Sequence, residues 1–318
     1  MKKTVISVVS VFLLVVLAGC STSAAASTDG KGYVEYVTSW GGEGTGDGQF
    51  LFIEDFATDA EGNVLVTDAI RKDVQVFTPD GAFVSRFGHD ESGDAVLEKP
   101  EGVAVDDQGR VFVGDYLSGF VQVYDSDYTH LFTFSGFGSQ EGMTAESEFM
   151  SIGNGYLYLA EAGNHRISAF DLDGNFQFAF GGEGTAAGQM SRPEASKVGP
   201  DGRVYVTDYG NHRVQVFEAD GTFVRQFGEE GTAPGQFQNP TGITVDKYGN
   251  IYVADVGNGR IQAFDNDGSY LFGWGELGSE IGQFDNIHGI IVDDEGHVYI
   301  GDTGNNRVQK YRILNFGQ

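Results

Sequence analysis

The stretch DGRVYVTDYGNHRVQVFEADGTFVRQFG, residues 201–228, returns 47 residues later as YGNIYVADVGNGRIQAFDNDGSYLFGWG, residues 248–275. Glycines, aspartates, arginines and aromatics fall in matching places. Two anchors extend the match along the chain. The glycine of the first turn recurs at Gly62, Gly109, Gly155, Gly202, Gly249 and Gly296. The acid closing the next apolar run recurs at Asp68, Asp115, Glu161, Asp208, Asp255 and Asp302. Both series step by 47, 46, 47, 47 and 47 residues, so the chain repeats one unit six times.

Within a unit the pattern gives four strands and no helix. TGITVD (241–246) is an apolar run ended by the turn KYGN, IYVAD (251–255) and RIQAFD (260–265) alternate, and SYLFGWG (269–275) closes the unit. The NDG at 266–268 supplies a hairpin turn, because glycine reaches positive φ without a Cβ clash. No segment sustains an apolar stripe at the helical period. A period near 47 residues built only of β-type runs predicts an all-β fold, a six-bladed β-propeller of four-stranded antiparallel blades. The sixth unit ends in RVQKYRI without a fourth strand, whereas GYVEYVTSWGGEGTGDGQF (32–50) aligns with GTFVRQFGEEGTAPGQF (221–237). The N-terminal strand, about Tyr33 to Trp40, is therefore expected to complete the last blade and close the ring. Closure removes sheet edges that would otherwise recruit other chains.

Composition agrees with a packed, soluble domain. Of 318 residues 40% are hydrophobic and 13% aromatic, and 48 Gly against 6 Pro suits short strands joined by tight turns. The formal net charge of −27, with only 19 basic residues, excludes nucleic acid as a partner, since a phosphate backbone demands clustered Lys and Arg. The first nineteen residues read as an export signal: Lys2 and Lys3, then the uncharged run from Val5 to Ala18. LAGC, Leu17 to Cys20, is similar to the bacterial and archaeal lipobox, which implies cleavage before Cys20 and lipidation of its sulfur. Cys20 is also the chain's single cysteine, and lipidation would consume an otherwise unpaired thiol. The expected organisation is a lipoprotein signal at 1–19, a lipidated Cys20 with a flexible tether to residue 32, and a monomeric propeller over 33–318. This places the domain outside the cell membrane, held to it by the lipid.

NPTGITVD…GNIYVADVGNGRIQAFDNDGSYLFGWG resembles the NHL repeat, with its Pro-x-Gly opening, VxD motif, Asp-x-x-Asn-x-Arg segment and terminal aromatic-Gly. The resemblance spans Tyr33 to about Ile313 and implies a six-bladed NHL propeller, a fold that hosts enzymes, sensors and scaffolds alike. The Asp-x-x-Asn-x-Arg trios read as structural pins between the second and third strands. They are Asp208, Asn211, Arg213; Asp255, Asn258, Arg260; Asp302, Asn305, Arg307; and the variant Glu161, Asn164, Arg166. Blades one and two depart, with Asp73 and Phe120 at the Arg positions.

Antiparallel geometry puts the start of strand one and the end of strand two on one face. The residue before the opening glycine should therefore rim a channel mouth: Glu54, Glu101, Glu194, Thr241 and His288, with Glu146, Ser147 or Glu148 in blade three. Carboxylates facing one axis repel unless a cation lies among them. Glu54, Glu101, Glu194 and His288 are accordingly candidate ligands for Ca²⁺ or Zn²⁺, since hard oxygens suit calcium and an added imidazole suits zinc. This position is similar to the calcium-ligand position of gluconolactonase and paraoxonase relatives, which implies a metal polarising a lactone or ester carbonyl, with His288 as candidate base. Amidating lyases of the NHL type use several channel histidines, and here only His288 stands in such a place.

Other signals carry less. FDLDG, FEADG and FDNDG look like calcium-loop fragments but stand where hairpins are required. GGEGTGDG (41–48) recurs as GGEGTAAG (181–188) and precedes no helix, so it is a blade connector rather than a phosphate loop. His165 and His212 read as surface residues. Two functions follow: an anchored propeller that binds a protein, peptide or small ligand at the acidic mouth, as in sensor modules of bacterial receptor kinases, or a metal-dependent hydrolase or lyase using the same mouth.

Overall fold

A computed structural model describes residues 24–26, 33–89 and 96–314. The signal segment 1–19 and Cys20 lie outside the described residues. Six antiparallel sheets stand around an axis, and the first strands touch one another in a closed ring, from Ile53–Thr58 round to Ile287–Val292 and back. Blade four shows the plan: Pro193–Val198 innermost, then Val204–Asp208, Arg213–Phe217 and Phe223–Phe227 outermost. Second strands are buried along almost their whole length, Tyr156 and His297 at two strand starts excepted, because each lies between two neighbouring blades, while outer strands are only partly covered. The core therefore lies between blades: Tyr158, Ala160 and Ile167 of blade three pack with Val204, Val206 and Phe217 of blade four.

The expected ring closure is present. Tyr33–Gly41 is the outer strand of blade six, with Tyr33 opposite Leu314 and Gly41 opposite Arg307. Val34 is fully buried among Trp274, Tyr311 and Ile313, so this strand contributes to the core as well as to the ladder. Ala24–Ala26, expected within a flexible tether, forms a short strand opposite Tyr33–Glu35. The backbone groups on the outer edge of the closing strand find partners there.

The first strands meet closely because glycine permits it. A Cβ on Gly102, Gly242 or Gly289 would stand 2.5, 2.4 or 2.3 Å from the carbonyl oxygen of Glu148, His288 or Glu54, respectively. Each of these glycines directly follows a mouth position. Thr67 and Thr207 reinforce the ring, their hydroxyls donating to the carbonyls of Glu101 and Thr241 in the next blade, both at 2.6 Å.

The Asp-x-x-Asn-x-Arg trios are clamps. Asp208 accepts from Asn211 Nδ2, from Arg213 Nε at 2.8 Å and from the Ser191 amide at 2.7 Å. Arg213 then donates to the carbonyls of Thr185, Ala186 and Gln189, fastening the connector that precedes the blade. Asp255 with Asn258 and Arg260, Asp302 with Asn305 and Arg307, and Glu161 with Asn164 and Arg166 repeat the arrangement. A fourth member escaped the sequence reading: Gln215, Gln262 and Gln309, two residues after each Arg, also donate to the clamp acid. Blade one exchanges its parts. Arg71, at the Asn position, pairs with Asp73 at 2.8 Å and donates to the Gly46 carbonyl, so a guanidinium still reaches the connector. In blade two Ser118 Oγ donates to Asp115 and no arginine takes part.

Candidate functional site

The clamps fix the chain immediately around one end of the axis, and the first strands start there. Glu54, Glu101, Glu194, Thr241 and His288 line a single cavity of about 240 Å³, as expected. Blade three contributes Glu148, since its strand begins at Ser147 and the second residue of each strand faces the mouth. Two further layers were not foreseen. Phe52, Lys99, Arg192 and Asn286 lie two residues before a mouth position, and Tyr116, Tyr209 and Val256 directly follow a clamp acid. Both layers recur at the 47-residue period, so the repeat itself carried the signal. Glu146, Arg192, Asn239 and Asn286 share left-handed backbones, with φ of 50°, 50°, 55° and 48°, a conformation uncommon outside glycine. His165 and His212 support two of them, their Nδ1 atoms accepting from the Arg192 and Asn239 amides at 3.0 Å.

The mouth is polar, crowded and incompletely paired. Lys99 Nζ lies 2.5 Å from Glu101 Oε1 and 3.8 Å from the centre of the Tyr116 ring. Arg192 Nη1 lies 2.6 Å from Glu146 Oε2, outside the ring of mouth carboxyls. Thr241 turns its hydroxyl to the Ile287 carbonyl at 2.9 Å, so it braces the next blade. His288 Nδ1 approaches Glu54 Oε2 to 2.7 Å but out of line for a hydrogen bond. Both atoms are therefore buried without a hydrogen-bond partner. Phe52 packs edge-on against the His288 ring at 5.2 Å.

Burial dominates the electrostatics. It pushes the Glu54 and Glu148 carboxyls well above the usual range, with Glu194 adding repulsion to each. Glu101 is raised to about 8 by burial and then by the Glu54 charge. Glu194 is raised to about 7 by burial, which a protonated His288 would oppose and Arg192 and Lys99 do oppose. Burial lowers His288, which favours a neutral imidazole. For Lys99 burial works against the charge, but Glu101, Glu54 and Glu148 outweigh it and raise the pKa. Deeper in the channel, Asp55 is raised to about 7 by burial, and Lys197, half-buried on the wall, is lowered by the same cause.

Lys99 thus supplies positive charge that the sequence reading assigned to a metal. Among the described residues no group of three or more His, Cys, Asp or Glu is arranged to hold a metal ion. An ammonium already occupies Glu101, which takes one of the four candidate ligands away from Ca²⁺ or Zn²⁺.

Comparison with known proteins agrees with the fold. A family profile described as a 6-bladed beta-propeller matches residues 197–271, and the NHL repeat profile matches residues 284–311. No curated protein matches the chain. Among solved structures, a protein of unknown function from Bacteroides thetaiotaomicron is 20% identical, covering 88% of this chain and 76% of its own, with a TM-score of 0.67. A gluconolactonase from Xanthomonas campestris is 15% identical over 93% of this chain and 96% of its own, at a TM-score of 0.65. Virginiamycin B lyase from Staphylococcus aureus is 14% identical over 92% and 87%, at 0.60. At these identities the likeness is one of fold.

Proposed function

For this six-bladed β-propeller carrying NHL repeats, we propose a role as a binding, sensing or scaffold module, anchored by lipid on Cys20 to the outer side of the cell membrane. It takes a protein, peptide or small ligand at the mouth formed by Glu54, Glu101, Glu148, Glu194 and His288. One observation carries this reading: Glu54 and His288 line a polar cavity with Glu101, Glu148 and Glu194, and their own 2.7 Å contact between Oε2 and Nδ1 lacks hydrogen-bond geometry. Folded proteins pair nearly all buried polar atoms, so an imperfectly paired acid–imidazole contact beside a cavity marks a place where another molecule completes the pairing. The anchor rests on LAGC and the lone cysteine.

A thermal-shift screen of peptides and small polar molecules tests the binding role. Compounds that raise the melting midpoint of the wild type should fail with Glu54→Gln and His288→Ala, and their acting equally on all three proteins would place binding elsewhere. Labelling with a fatty-acid analogue, in wild type and Cys20→Ser, tests the anchor.

A hydrolase or lyase at the same mouth is the second reading, favoured by a neutral imidazole close to carboxyls that hold protons. Groups whose surroundings push their pKa values apart can act as base and acid. His288 would accept a proton and Glu101 or Glu194 would return one. Lactone and ester turnover lost in His288→Ala would support it.

A further inference from the structure

The mouth holds more carboxyl groups than positive charges. Four carboxyls, Glu54, Glu101, Glu148 and Glu194, are each at least nine-tenths buried. Against them stands Lys99, bound to Glu101. Arg192 also lines the cavity and acts on Glu194, although its guanidinium pairs with Glu146, and His288 is favoured neutral. Tyr116 and Tyr209, the other titratable groups of the lining, are phenols whose pKa values are raised further, so they add no charge at neutral pH. The remaining carboxyls meet the imbalance by holding protons. A positive ligand would take the place of those protons.

Lys99 shows what kind of cation the wall receives. Its ammonium rests on the Glu101 carboxyl group on one side and on the Tyr116 face on the other, the pairing by which aromatic-lined acidic sites hold ammonium groups. The same two ingredients recur around the rest of the mouth: the buried carboxyls of Glu54, Glu148 and Glu194, and the rings of Phe52 and Tyr209. A cavity of about 240 Å³ has room for about eight waters at roughly 30 Å³ each, which matches a short-chain ligand.

Building on the binding role, we propose that the mouth is an ammonium site for a small aliphatic diamine, with Glu54, Glu148 and Glu194 receiving its two cationic ends. Binding of the dication displaces protons from these carboxyls into solvent and leaves Lys99 on Glu101. Affinity therefore rises with pH while the carboxyls still hold protons, by up to about tenfold per pH unit for each proton released.

Isothermal titration of the purified protein tests this with four probes: 1,4-diaminobutane, n-butylamine, 1,4-butanediol and calcium chloride. Diaminobutane should bind at least tenfold more tightly than butylamine, and butanediol should not bind. Its affinity should increase between pH 6.5 and 8.5, with heats that depend on the buffer because protons are released. Glu54→Gln, checked for folding by circular dichroism, should weaken diaminobutane at least tenfold. Lys99→Met should tighten it, since one competing ammonium is gone, an effect that a purely structural lysine would not produce. Butanediol binding as tightly as the diamine, or calcium binding more tightly and losing affinity in Glu54→Gln, would overturn the ammonium assignment while leaving a ligand site at the mouth. No binding of any probe at millimolar concentration would also overturn it. If no compound of the wider screen bound either, the binding role itself would fall.

Discussion

The clamp ring and the mouth ring arise from the same repeat, yet they treat their carboxyl groups in opposite ways. Each clamp acid recurs in all six units and is surrounded by donors; Asp208 alone accepts from Asn211, Arg213, Gln215 and the Ser191 amide. The mouth position varies, reading Glu54, Glu101, Glu148, Glu194, Thr241 and His288, and its Glu54 Oε2 meets His288 Nδ1 out of line for a hydrogen bond. A buried carboxylate that the chain itself satisfies belongs to the architecture. One that the chain leaves unsatisfied beside a cavity costs stability and has its use outside the fold.

Removing the outer strand of blade six should break the comparison at its root. Deleting residues 33–41 exposes the third strand of that blade and loses the burial of Val34 and much of Tyr36 and Trp40. At about 2 kcal/mol for each large apolar side chain, the loss reaches roughly 5 kcal/mol or more. Near-ultraviolet circular dichroism should lose its native signal, and a cooperative melt close to that of wild type would refute the closure.

Next in size is the clamp. Asp208→Ala leaves the Arg213 guanidinium, only 7% exposed, without its carboxylate, which should cost about 3–5 kcal/mol in urea unfolding. The mouth predicts the opposite sign. Folded-state pKa values of Glu101 and Glu194 are raised from 4.5 to about 8 and about 7, so their contribution is fully present below pH 4.5. It is lost as pH rises through about 7 and about 8. Wild-type stability should therefore fall between pH 5 and 8.5, and Glu101→Gln with Glu194→Gln should flatten that fall by up to about 1.4 kcal/mol per pH unit for each proton concerned.

The smallest effect sharpens the contrast within the clamps. Blade one holds Arg71 and Asp73 where other blades hold Asn and Arg, and its guanidinium still meets the connector carbonyls. The double change Arg71→Asn with Asp73→Arg restores the common order and should shift stability by less than about 1 kcal/mol, whereas Arg71→Ala alone, leaving buried Asp73 only the longer 3.9 Å contact with Arg86, should cost more.

Repetition is why so much of this was readable in the sequence. A period of 47 residues fixed the blades, and the missing fourth strand of the sixth unit pointed to Tyr33–Gly41. The mouth glutamates followed from strand direction. Lys99 and Arg192 did not, because they precede their strands in connectors where hydrophobic alternation is silent, and only their offset within the repeat marks them. The clamp glutamines were hidden for a different reason: Gln215, Gln262 and Gln309 lie in alternating strands, where a polar residue reads as solvent-facing although all three are buried. The cation balancing the carboxyls was sought among metals because no lysine stood at the mouth position itself. The side chain that fills the role reaches in from two residues earlier.

The protonation of the mouth carboxyls can be read directly by infrared difference spectroscopy at pH 7, comparing wild type with the combined Glu54→Gln, Glu101→Gln, Glu194→Gln variant. The account predicts a carboxylic-acid carbonyl band in the wild type that is weakened in the variant, which keeps Glu148 and Asp55, and that fades in the wild type as pH is raised toward 9. A wild-type spectrum with no such band at pH 7, every mouth glutamate being ionised, would contradict it.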